Sequence, residues 1–485
     1  MKIHFYQFIL LTLFTCSFKP VLFAQHQADT WYFGSDGAGL RFSECQVTAL
    51  TNGNFEGYEG VATISDKITG DLLFYTNSEY VMNKMHDTIP NSNLILNGNT
   101  ITQVLILQKP GSNTIYYIIT SEVQGFSGQH YRYHAIDISM NGGLGGMLFK
   151  DSLLYNMPST EKITAIKHNN GNDLWIVGHE YNTNNYLSFH FTASGINTTP
   201  VISAIGKVHG DPSTASAVGE LKASPNGQKI ASVTLYHPNI ELFDFNKSTG
   251  ALSNLITIPA IAGFDGLNYP ISNLYGLSFS KNSKMLYATQ WLSSDSLSKI
   301  IQLNVSSNDS SQISNSKFTI FSTSEKNLYS LKLAPDEKIY VAQNPTKTFL
   351  GRINYPDSIG LSCGYVDSAI SLGGSHSGWG LNNLMEYDEY CTEIPDGISS
   401  EIFTEAIEVS PNPCSDRLLI NFTEQSIANY NIYVRTVTGQ SLFQPLATSP
   451  GKAVMDIHNL PTGVYLLQIK DEQKRIYNRK FSVVH

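Results

Sequence analysis

Short runs of alternating apolar and polar residues cover most of the chain, and turn residues separate them. Three units show the pattern most clearly, each with an apolar alternating run, a Ser-Pro-Asn-Gly kind of turn and a second run rich in Tyr, Val and Ala. They are Gly219–Gly250, Tyr275–Trp291 and Tyr329–Asn344. Alternation with a period of two is typical of half-buried β-strands. Because long helical periodicities are absent and aromatic and β-branched residues are abundant, the sequence predicts an all-β fold.

Units of this kind recur along residues 29–391 and predict a repeat architecture. Six strand–turn–strand units are recognisable, and the leftover segments Asp29–Phe42 and Leu381–Glu389 supply a seventh. A single unit cannot bury both of its faces, so neighbouring units must stack around an axis. The region allows about 52 residues per unit, close to a propeller blade with its loops. We therefore predict a seven-bladed β-propeller over residues 29–391, closed by pairing of the two leftover segments in one blade.

The composition changes after the propeller region. Residues 392–406 hold Pro395, Asp396-Gly397 and Ser399-Ser400 with little apolar periodicity, and they are predicted to form a linker. Alternating runs separated by turn residues return in residues 407–485. This pattern predicts a separate, small antiparallel β-sandwich at the C-terminus.

Residues 407–485 also resemble a known family. They contain an SPNP turn, a strand that ends in a glycine hairpin, the segment LPTGVYLLQI and a closing basic–aromatic pair. Together these closely resemble the type A C-terminal sorting domain of type IX secretion substrates in Bacteroidetes-type bacteria. The residues that carry the resemblance are Pro411, Asn412, Pro413, Gly439, Gly463, Tyr465, Lys480 and Phe481. The resemblance implies that the type IX secretion machinery is a partner through residues 407–485, which then serve as an export address without a catalytic role.

The N-terminus agrees with export. Lys2 precedes an apolar stretch, Ile3–Phe18, and Leu22-Phe23-Ala24 is an acceptable cleavage site. This predicts a signal peptide over residues 1–24, cleaved between Ala24 and Gln25. No later stretch approaches the roughly 20 apolar residues that a membrane span needs, so no transmembrane segment is expected in the mature chain. The expected destination is the medium or the outer-membrane surface, reached through the periplasm.

Net charge narrows the range of partners. The sequence has 31 basic and 40 acidic residues, and without Lys2 and Lys19 of the signal peptide the net charge becomes −11. An acidic chain repels nucleic acids and anionic lipids, so neither is expected as a partner.

The propeller region carries a second resemblance. The segments WYFGSDGAGLRF, EGVATISDKITGDLLFYTN and EKITAIKHNNGNDLWIVGHE, the turn SPNGQKIA and the segment KIYVAQN occur in this order. As a set they are similar to the large extracellular propellers that precede type IX sorting domains in gliding and surface proteins of the same bacteria. The resemblance implies a secreted propeller. This chain has GLNNL at residues 380–384 where that family usually has GLP-N-F, which affects the boundaries of the last blade.

Four cysteines remain after the signal peptide, and their scattered spacing matches no zinc or redox motif. They are Cys45, Cys363, Cys391 and Cys414. An oxidising destination permits disulfides. Because Cys363 and Cys391 both lie at the end of the main domain, we predict a bridge between them. Four unpaired, partly buried thiols are the alternative.

Histidines and carboxylates near predicted strand ends are the candidates for chemistry. A propeller gathers loops from different blades around its axis, so such residues can converge into a metal or acid–base site. The candidates are His168, His179, Glu180 and His209, together with Glu59, His86 and Glu161. No HExxH motif or nucleophile elbow accompanies them. The sequence therefore assigns no catalytic, cofactor or metal residue and predicts no cofactor, with Ca2+ in the central channel as the alternative.

Two kinds of residue suggest contacts with sugars. Trp31, Trp175 and Trp291 are expected to pack between blades, whereas Trp379 lies in a predicted loop and is the better candidate for an exposed stacking face. Asp-Ser/Thr-apolar triplets resemble the short O-glycosylation acceptor motif of this bacterial phylum, with chance enrichment in a Ser/Thr-rich chain as the alternative. The candidate acceptors are Thr88, Ser152, Ser296, Ser358 and Ser368.

Two functional hypotheses follow. The first is a secreted or surface-displayed propeller that binds a protein or glycan ligand through its loops and is not an enzyme. The second is a propeller hydrolase or lyase with a polar or metal site in the central channel. At least three His, Asp or Glu side chains that converge within reach of one another distinguish the second from the first. The absence of a catalytic motif favours the binding hypothesis.

Overall fold

The structure is a computed structural model in two compact units, residues 1–391 and residues 392–485, and each unit is described by itself. The described residues are 26–43, 46–57, 59–94, 103–121, 130–210, 217–235, 237–259, 272–292, 297–325, 327–386, 407–422, 430–436, 452–471 and 476–485. The predicted signal peptide with its cleavage site at Ala24 and Gln25, and the predicted linker at 392–406, lie outside these residues.

The first unit is built from antiparallel sheets whose strands pair largely in chain order. Short alternating runs that end at turns rich in Gly, Asn and Asp make each strand fold back on the one before it. The first three sheets contain β1 (Thr30–Tyr32), β2 (Gly39–Ser43) and β3 (Gln46–Leu50); β4 (Ala62–Ser65), β5 (Leu72–Thr76) and β6 (Val81–Asn83); and β7 (Val104–Gln108), β8 (Ile115–Ser121), β9 (Tyr131–Asp137) and β10 (Gly146–Leu153).

Four further sheets follow in the same manner. They contain β11 (Ser159–Lys167), β12 (Leu174–Glu180), β13 (Thr183–Thr192), β14 (Gly195–Ile196) and β15 (Val201–His209); β16 (Leu221–Ala223), β17 (Lys229–Thr234), β18 (His237–Phe245) and β19 (Leu252–Pro259); β20 (Ser272–Phe279), β21 (Met285–Leu292), β22 (Leu297–Asn304) and β23 (Phe318–Thr323); and β24 (Leu328–Leu333), β25 (Ile339–Gln343), β26 (Phe349–Ile353) and β27 (Tyr365–Ser371).

Helical structure in the described residues of this unit is limited to short connections. The two α-helical segments are α1 (Met140–Gly143) and α2 (Ser310–Asn315), and 3-10 turns occur at His26–Ala28 and Gly360–Cys363. The side chain of Asp309 accepts the first N–H groups of α2, which caps this helix.

The sheets pack face to face in chain order, and the last packs against the first. First strands of successive sheets contact each other, as β11 does with β16 and β20 with β24. At the junction of the last and first sheets the buried Trp31 ring packs on Phe42 and Tyr340, with centroids 4.8 and 5.8 Å apart. This closed ring of antiparallel sheets is a β-propeller, so the predicted fold class is confirmed. The described residues form seven such sheets, and the count of seven blades stays a prediction.

Within the described part of the closing segment, the ring does not close by the strand pairing that the sequence predicts. Residues 381–386 of the proposed closing strand belong to no strand, and the first sheet consists of β1, β2 and β3. Instead this segment crosses the inner strands: the Asn382 side chain accepts from the N–H of Thr63 at 2.7 Å, and the Asn383 side chain donates to the carbonyl of Val104 at 3.0 Å. The predicted pairing is therefore wrong for residues 381–386.

The backbone contact that closes the ring lies earlier in the chain. Ser35 and His376 form a β-bridge, and the His376 ring lies 2.5 Å from the Asp36 carboxylate. Gly34 beside this bridge has φ +62°, and a Cβ at that position would lie 1.9 Å from the His376 carbonyl oxygen. Only glycine fits both the conformation and the close approach.

The turns between first and second strands meet at one end of the ring. Asn226 N–H donates to Ser283 Oγ at 3.2 Å, and Lys281 pairs with Glu337, so successive turns contact each other. We call this end the hairpin end. It is formed by the turns at residues 66–71, 168–173, 224–229, 280–285 and 334–339. The first strands of these five sheets therefore begin at the opposite end. The first sheet runs the other way: β1 begins beside the turn at 66–71, where Arg41 of the paired strand β2 donates to the Gly70 carbonyl.

The second unit is a small antiparallel β-sandwich, as predicted. Its strands are β28 (Ile407–Ser410), β29 (Arg417–Phe422), β30 (Tyr430–Thr436), β31 (Lys452–Asp456), β32 (Gly463–Asp471) and β33 (Ile476–Val483). β29 pairs with β28 and β31 in one sheet, and β32 pairs with β30 and β33 in the other. Apolar side chains of both sheets, such as Leu418 and Leu467, share one buried core.

Residues of the predicted sorting motif hold this sandwich together. Asn412, between Pro411 and Pro413, donates to the carbonyl of Lys480 at 3.2 Å and accepts from Ser482 N–H at 2.9 Å. Tyr465 is paired with Phe481 across β32 and β33, both rings are buried, and their centroids are 5.7 Å apart. Gly463 opens β32, and Gly439 lies outside the described residues.

Candidate functional site at the propeller axis

Charged side chains lie at the start of several first strands, inside the ring. Tyr275 of β20 donates to Glu59, which precedes β4, and Ser330 of β24 donates to Glu220, which precedes β16. These pairs join sheets that are not neighbours, so the contacts are made across the axis. We call the buried group the axial cluster; it comprises Glu59, Glu161, Lys162, Glu220, Lys222, Tyr275, Ser330 and Lys332.

The axial carboxylates accept hydrogen bonds from groups within the propeller. Glu161 Oε1 accepts from the N–H of Gly219 at 2.7 Å. Glu220 accepts from the N–H of Leu277 at 2.6 Å and from the Ser330 hydroxyl at 2.5 Å. Because a buried carboxylate without such donors is costly, these bonds fix the carboxylates in place.

Lys162 caps the start of the neighbouring sheet. Its ammonium donates to the carbonyl oxygens of Val218, Gly219 and Val233, at 3.2, 3.2 and 2.7 Å. Burial lowers the pKa of Lys162 to about 8, and the charge on Glu161 acts in the opposite direction. An aliphatic residue would leave three buried carbonyl groups without this donor.

Glu59 is a buried axial carboxylate whose pKa is strongly shifted. Burial raises the pKa of Glu59 well above its usual value, the Glu161 charge adds to this, and the hydrogen bond from Tyr275 acts in the opposite direction. Burial also raises the pKa of Tyr275 well above 10, together with the Glu59 charge. The Glu59–Tyr275 pair is thus favoured with both protons bound.

We expect Glu59→Gln to remove a pH dependence of stability. Because the folded-state pKa of Glu59 is raised, the folded chain holds this proton after the unfolded chain loses it near pH 4.5. The associated stability is present below that pH and is lost as pH rises through the folded pKa. Gln keeps the shape of the neutral acid, so the thermal unfolding midpoint of wild type should fall relative to that of the variant as pH rises above 4.5. The exposed Glu56→Gln variant is the control; parallel curves for wild type and Glu59→Gln would contradict the assignment.

Aromatic rings lie beside the axial cluster, at the end opposite the hairpin end. Tyr275 stacks on Trp291 at 5.8 Å, Trp291 meets Tyr329 edge-on at 4.8 Å, and Tyr329 lies 5.9 Å from Trp379. Trp291, Tyr329 and Trp379 are half-buried, whereas Tyr275 is buried. We call these four residues the aromatic cluster. The sequence predicts that Trp31, Trp175 and Trp291 pack between blades; Trp31 and Trp175 are buried, whereas Trp291 is half-buried.

Two of the candidate histidines converge next to the axial cluster. The rings of His179 and His209 stack with centroids 4.0 Å apart, and His209 Nε2 lies 3.2 Å from Glu241 Oε2. Tyr186 donates to the same carboxylate oxygen at 3.0 Å. Burial lowers the pKa of His179 well below 6.5, so its imidazole is neutral at ordinary pH. Glu180 is held separately, by the Asn185 side chain at 2.7 Å.

The remaining candidates lie elsewhere. His86 contacts the Tyr75 hydroxyl at 3.0 Å in the wall of the second sheet, and His168 lies in a turn at the hairpin end. The axial carboxylates do not form a three-ligand group within the described part of the chain, which gives the Ca2+ alternative no support there. Sequence analysis missed Glu220 and Tyr275. The signal in the sequence that points to this cluster is the recurrence of charged residues inside otherwise apolar first strands.

The predicted glycosylation acceptors differ in their exposure to solvent. Thr88 and Ser368 are exposed, and Ser152 and Ser358 are half-buried. Ser296 lies outside the described residues. Cys363 is buried in an apolar core, and its predicted partner Cys391 also lies outside them. The glycosylation sites and the Cys363–Cys391 bridge stay predictions.

The second unit matches a known family. Residues 408–484 match the model of the secretion system C-terminal sorting domain family. The chain therefore combines a β-propeller with a C-terminal sorting domain of the type IX secretion system, and this domain indicates export to the cell surface or secretion. None of the described helices is long and apolar enough to cross a membrane.

Comparison with curated proteins gave no match. Among solved structures, a putative 6-phosphogluconolactonase from Bacteroides uniformis is 12% identical with a TM-score of 0.38, covering 89% of this chain and 100% of that chain. The periplasmic gluconolactonase of Pseudomonas aeruginosa is 11% identical with a TM-score of 0.37, covering 88% and 98%. A functionally unknown protein from Desulfotomaculum acetoxidans is 12% identical with a TM-score of 0.41, covering 73% and 98%. No activity is transferred from these likenesses.

Proposed function

We propose that this protein is an exported propeller that binds a glycan at the aromatic cluster beside its axis. The observation that carries the proposal is the set of three half-buried rings, Trp291, Tyr329 and Trp379, next to the axial carboxylates. Aromatic faces cover the apolar C–H faces of sugars, while nearby hydroxyl and carboxylate groups contact sugar hydroxyls. The end opposite the hairpin end combines both features.

Two carboxylates of the axial cluster, Glu161 and Glu220, support binding rather than catalysis. A carboxylate that acts as a general acid or base needs an oxygen that is free to exchange a proton with the substrate. Glu161 and Glu220 instead accept backbone N–H groups of Gly219 and Leu277. Their role in this proposal is to fix first strands of the ring, of which β20 carries Tyr275 and β24 carries Tyr329.

Trp379→Ala should abolish or strongly weaken glycan binding. A glycan array with the full chain identifies the ligand, and titration calorimetry then compares variants. We expect a loss of about tenfold or more, since a ring at the centre of a contact commonly contributes over 1 kcal/mol. Tyr355→Ala is the matched control, because Tyr355 is a 65% exposed aromatic residue near the hairpin end. If the array shows no glycan binding and the protein instead captures a defined protein ligand, the protein-binding alternative is favoured. If Trp379→Ala and Tyr355→Ala lose the same glycan affinity, the assignment of the site to the aromatic cluster is wrong.

A hydrolase or lyase acting at the same site is the second candidate. The raised pKa of Glu59 favours it, because a carboxyl that holds its proton to higher pH than usual is better suited to act as a general acid. Incubation of the array-identified glycan with the protein, followed by analysis of chain length, distinguishes the two. If wild type cleaves the glycan and the Glu59→Gln variant does not, the protein is an enzyme. If the glycan stays intact with wild type, the result supports the binding function.

A further inference from the structure

A second group of chemically competent side chains lies at the hairpin end, apart from the axial cluster. His168 and Asp173 flank the turn between β11 and β12, and His190 lies in β13. Each of the three offers a ligand atom, and these atoms all lie within 4.8 Å of one another. Among the described residues, no other His, Cys, Asp or Glu set of three or more meets this spacing.

Local structure brings these three residues together. His168 N–H donates to the Asp173 carbonyl at 2.8 Å, which closes the turn. Inside the turn, Asn170 Oδ1 accepts the N–H groups of Asn172 and Asp173, both at 3.0 Å. His190 is placed by strand register, opposite Trp175 on the neighbouring strand. The spacing therefore depends on a hairpin and a ladder, both of which restrict backbone motion.

The rings form a wall around the group. The His190 ring stacks on Trp175 and on His168, with centroids 4.7 and 4.9 Å apart. Trp175 Nε1 donates to the Lys247 carbonyl at 2.9 Å, which fixes the indole against the next sheet. The Lys247 ammonium is directed elsewhere, to the Asn226 carbonyl at 3.2 Å.

The polar atoms of the group face one another. His190 Nε2 lies 3.2 Å from Asp173 Oδ2 and is shielded from solvent, without the geometry of a hydrogen bond. The same Asp173 oxygen accepts from Asn170 Nδ2 at 2.8 Å. The hydrogen bond from Asn170 orients the Asp173 carboxylate, as outer-shell groups commonly do for ligating carboxylates.

We propose that His168, Asp173 and His190 bind a divalent transition-metal ion of the zinc type. Two imidazole nitrogens and one carboxylate suit zinc and its neighbours, whereas Ca2+ and Mg2+ prefer oxygen-only sites. Three protein ligands leave a coordination position for water or an external donor, as in open zinc sites. The site is independent of the glycan proposal, since it lies at the other end of the ring.

Coordination must compete with one hydrogen bond. His168 Nδ1 accepts from the N–H of Asn170 at 3.0 Å. If the metal binds Nδ1, it takes the same lone pair; if it binds Nε2, the ring proton moves to Nδ1, which then no longer accepts. Either way the bond is lost, so affinity is lower than for three freely available ligands.

Zn2+ titration of the untagged full chain after EDTA treatment tests the site. We expect one bound ion and a rise in the thermal unfolding midpoint with Zn2+. His168→Gln, His190→Gln and Asp173→Asn should each weaken binding by at least about tenfold and remove that rise. Co2+ should give visible absorption bands that the His190→Gln variant lacks.

His376→Asn is the matched control, because it removes a histidine that pairs with one carboxylate, Asp36, at 2.5 Å. It should bind Zn2+ like wild type. The proposal is overturned if the ligand variants, folded by circular dichroism, bind Zn2+ as wild type does, or if the control loses binding equally. An absence of Zn2+ binding by wild type at micromolar concentration also overturns it.

Discussion

Lys162→Met should destabilise the propeller by about 1–3 kcal/mol, the range for leaving buried polar groups without a hydrogen-bond donor. The ammonium is fully buried and donates to the carbonyls of Val218, Gly219 and Val233. Methionine has a similar length and no donor, so it leaves three polar groups without this partner at the start of the next sheet. Denaturant titration monitored by tryptophan fluorescence measures the loss in free energy of unfolding.

Lys167→Met is the matched control. Lys167 lies at the other end of the same strand, β11, and is exposed. Its replacement should change the free energy of unfolding by no more than about 0.5 kcal/mol. If both variants lost the same stability, the buried contacts of Lys162 would not explain the effect. If neither lost stability, the three carbonyls would have to be satisfied by water.

The strands and the turns between them could be read from sequence because they depend on local patterns. The unit Gly219–Gly250 becomes β16 to β18 and the turn that follows, with the Ser-Pro-Asn-Gly turn where alternation stops. In the second unit the same logic places the SPNP turn between β28 and β29. Both signals act over a few residues, so one sequence suffices.

The closing segment shows where local patterns fail. Its apolar residues suggest a strand, but Leu381, Leu384 and Met385 each pack into a different core between sheets. An extended segment that crosses several sheets has the same composition as a strand that joins one. The alternation of apolar and polar residues indicates which residues are buried, but it does not indicate which neighbouring element they pack against.

The axial cluster was unpredictable for a related reason. Glu59 and Tyr275 are separated by 216 positions and contact each other only because their sheets face across the axis. Sequence shows the unusual charges, such as Glu161 and Lys162, but not the ring geometry that pairs them. The contact between His179 and His209 does not show the predicted convergence of loops from different blades, because both residues lie in strands of one sheet. His190 was not among the predicted residues, because nothing in its strand marks it as a ligand.

Deletion of residues 407–485 should leave a folded propeller that no longer reaches the cell surface or medium. The two units have separate apolar cores: the sandwich core contains residues from Cys414 to Val483, and each propeller core contains residues before 391. Because the described cores share no residues, thermal unfolding of the truncated protein should match that of the propeller in the full chain. Because the deleted part is the sorting domain, the protein should accumulate in the periplasm, as cell fractionation will show.

Two point variants separate loss of the fold from loss of recognition in this experiment. Phe481 is fully buried and stacks on Tyr465, so Phe481→Ala should unfold the sandwich and block export as the deletion does. Lys480 is exposed, and its carbonyl oxygen rather than its side chain contacts Asn412, so Lys480→Ala should leave the sandwich folded. Reduced export of a folded Lys480→Ala protein would show that the machinery reads this side chain, while normal export would assign the motif to holding the fold. If the deleted protein reached the surface at the normal level, the role of residues 407–485 as the export address would be refuted.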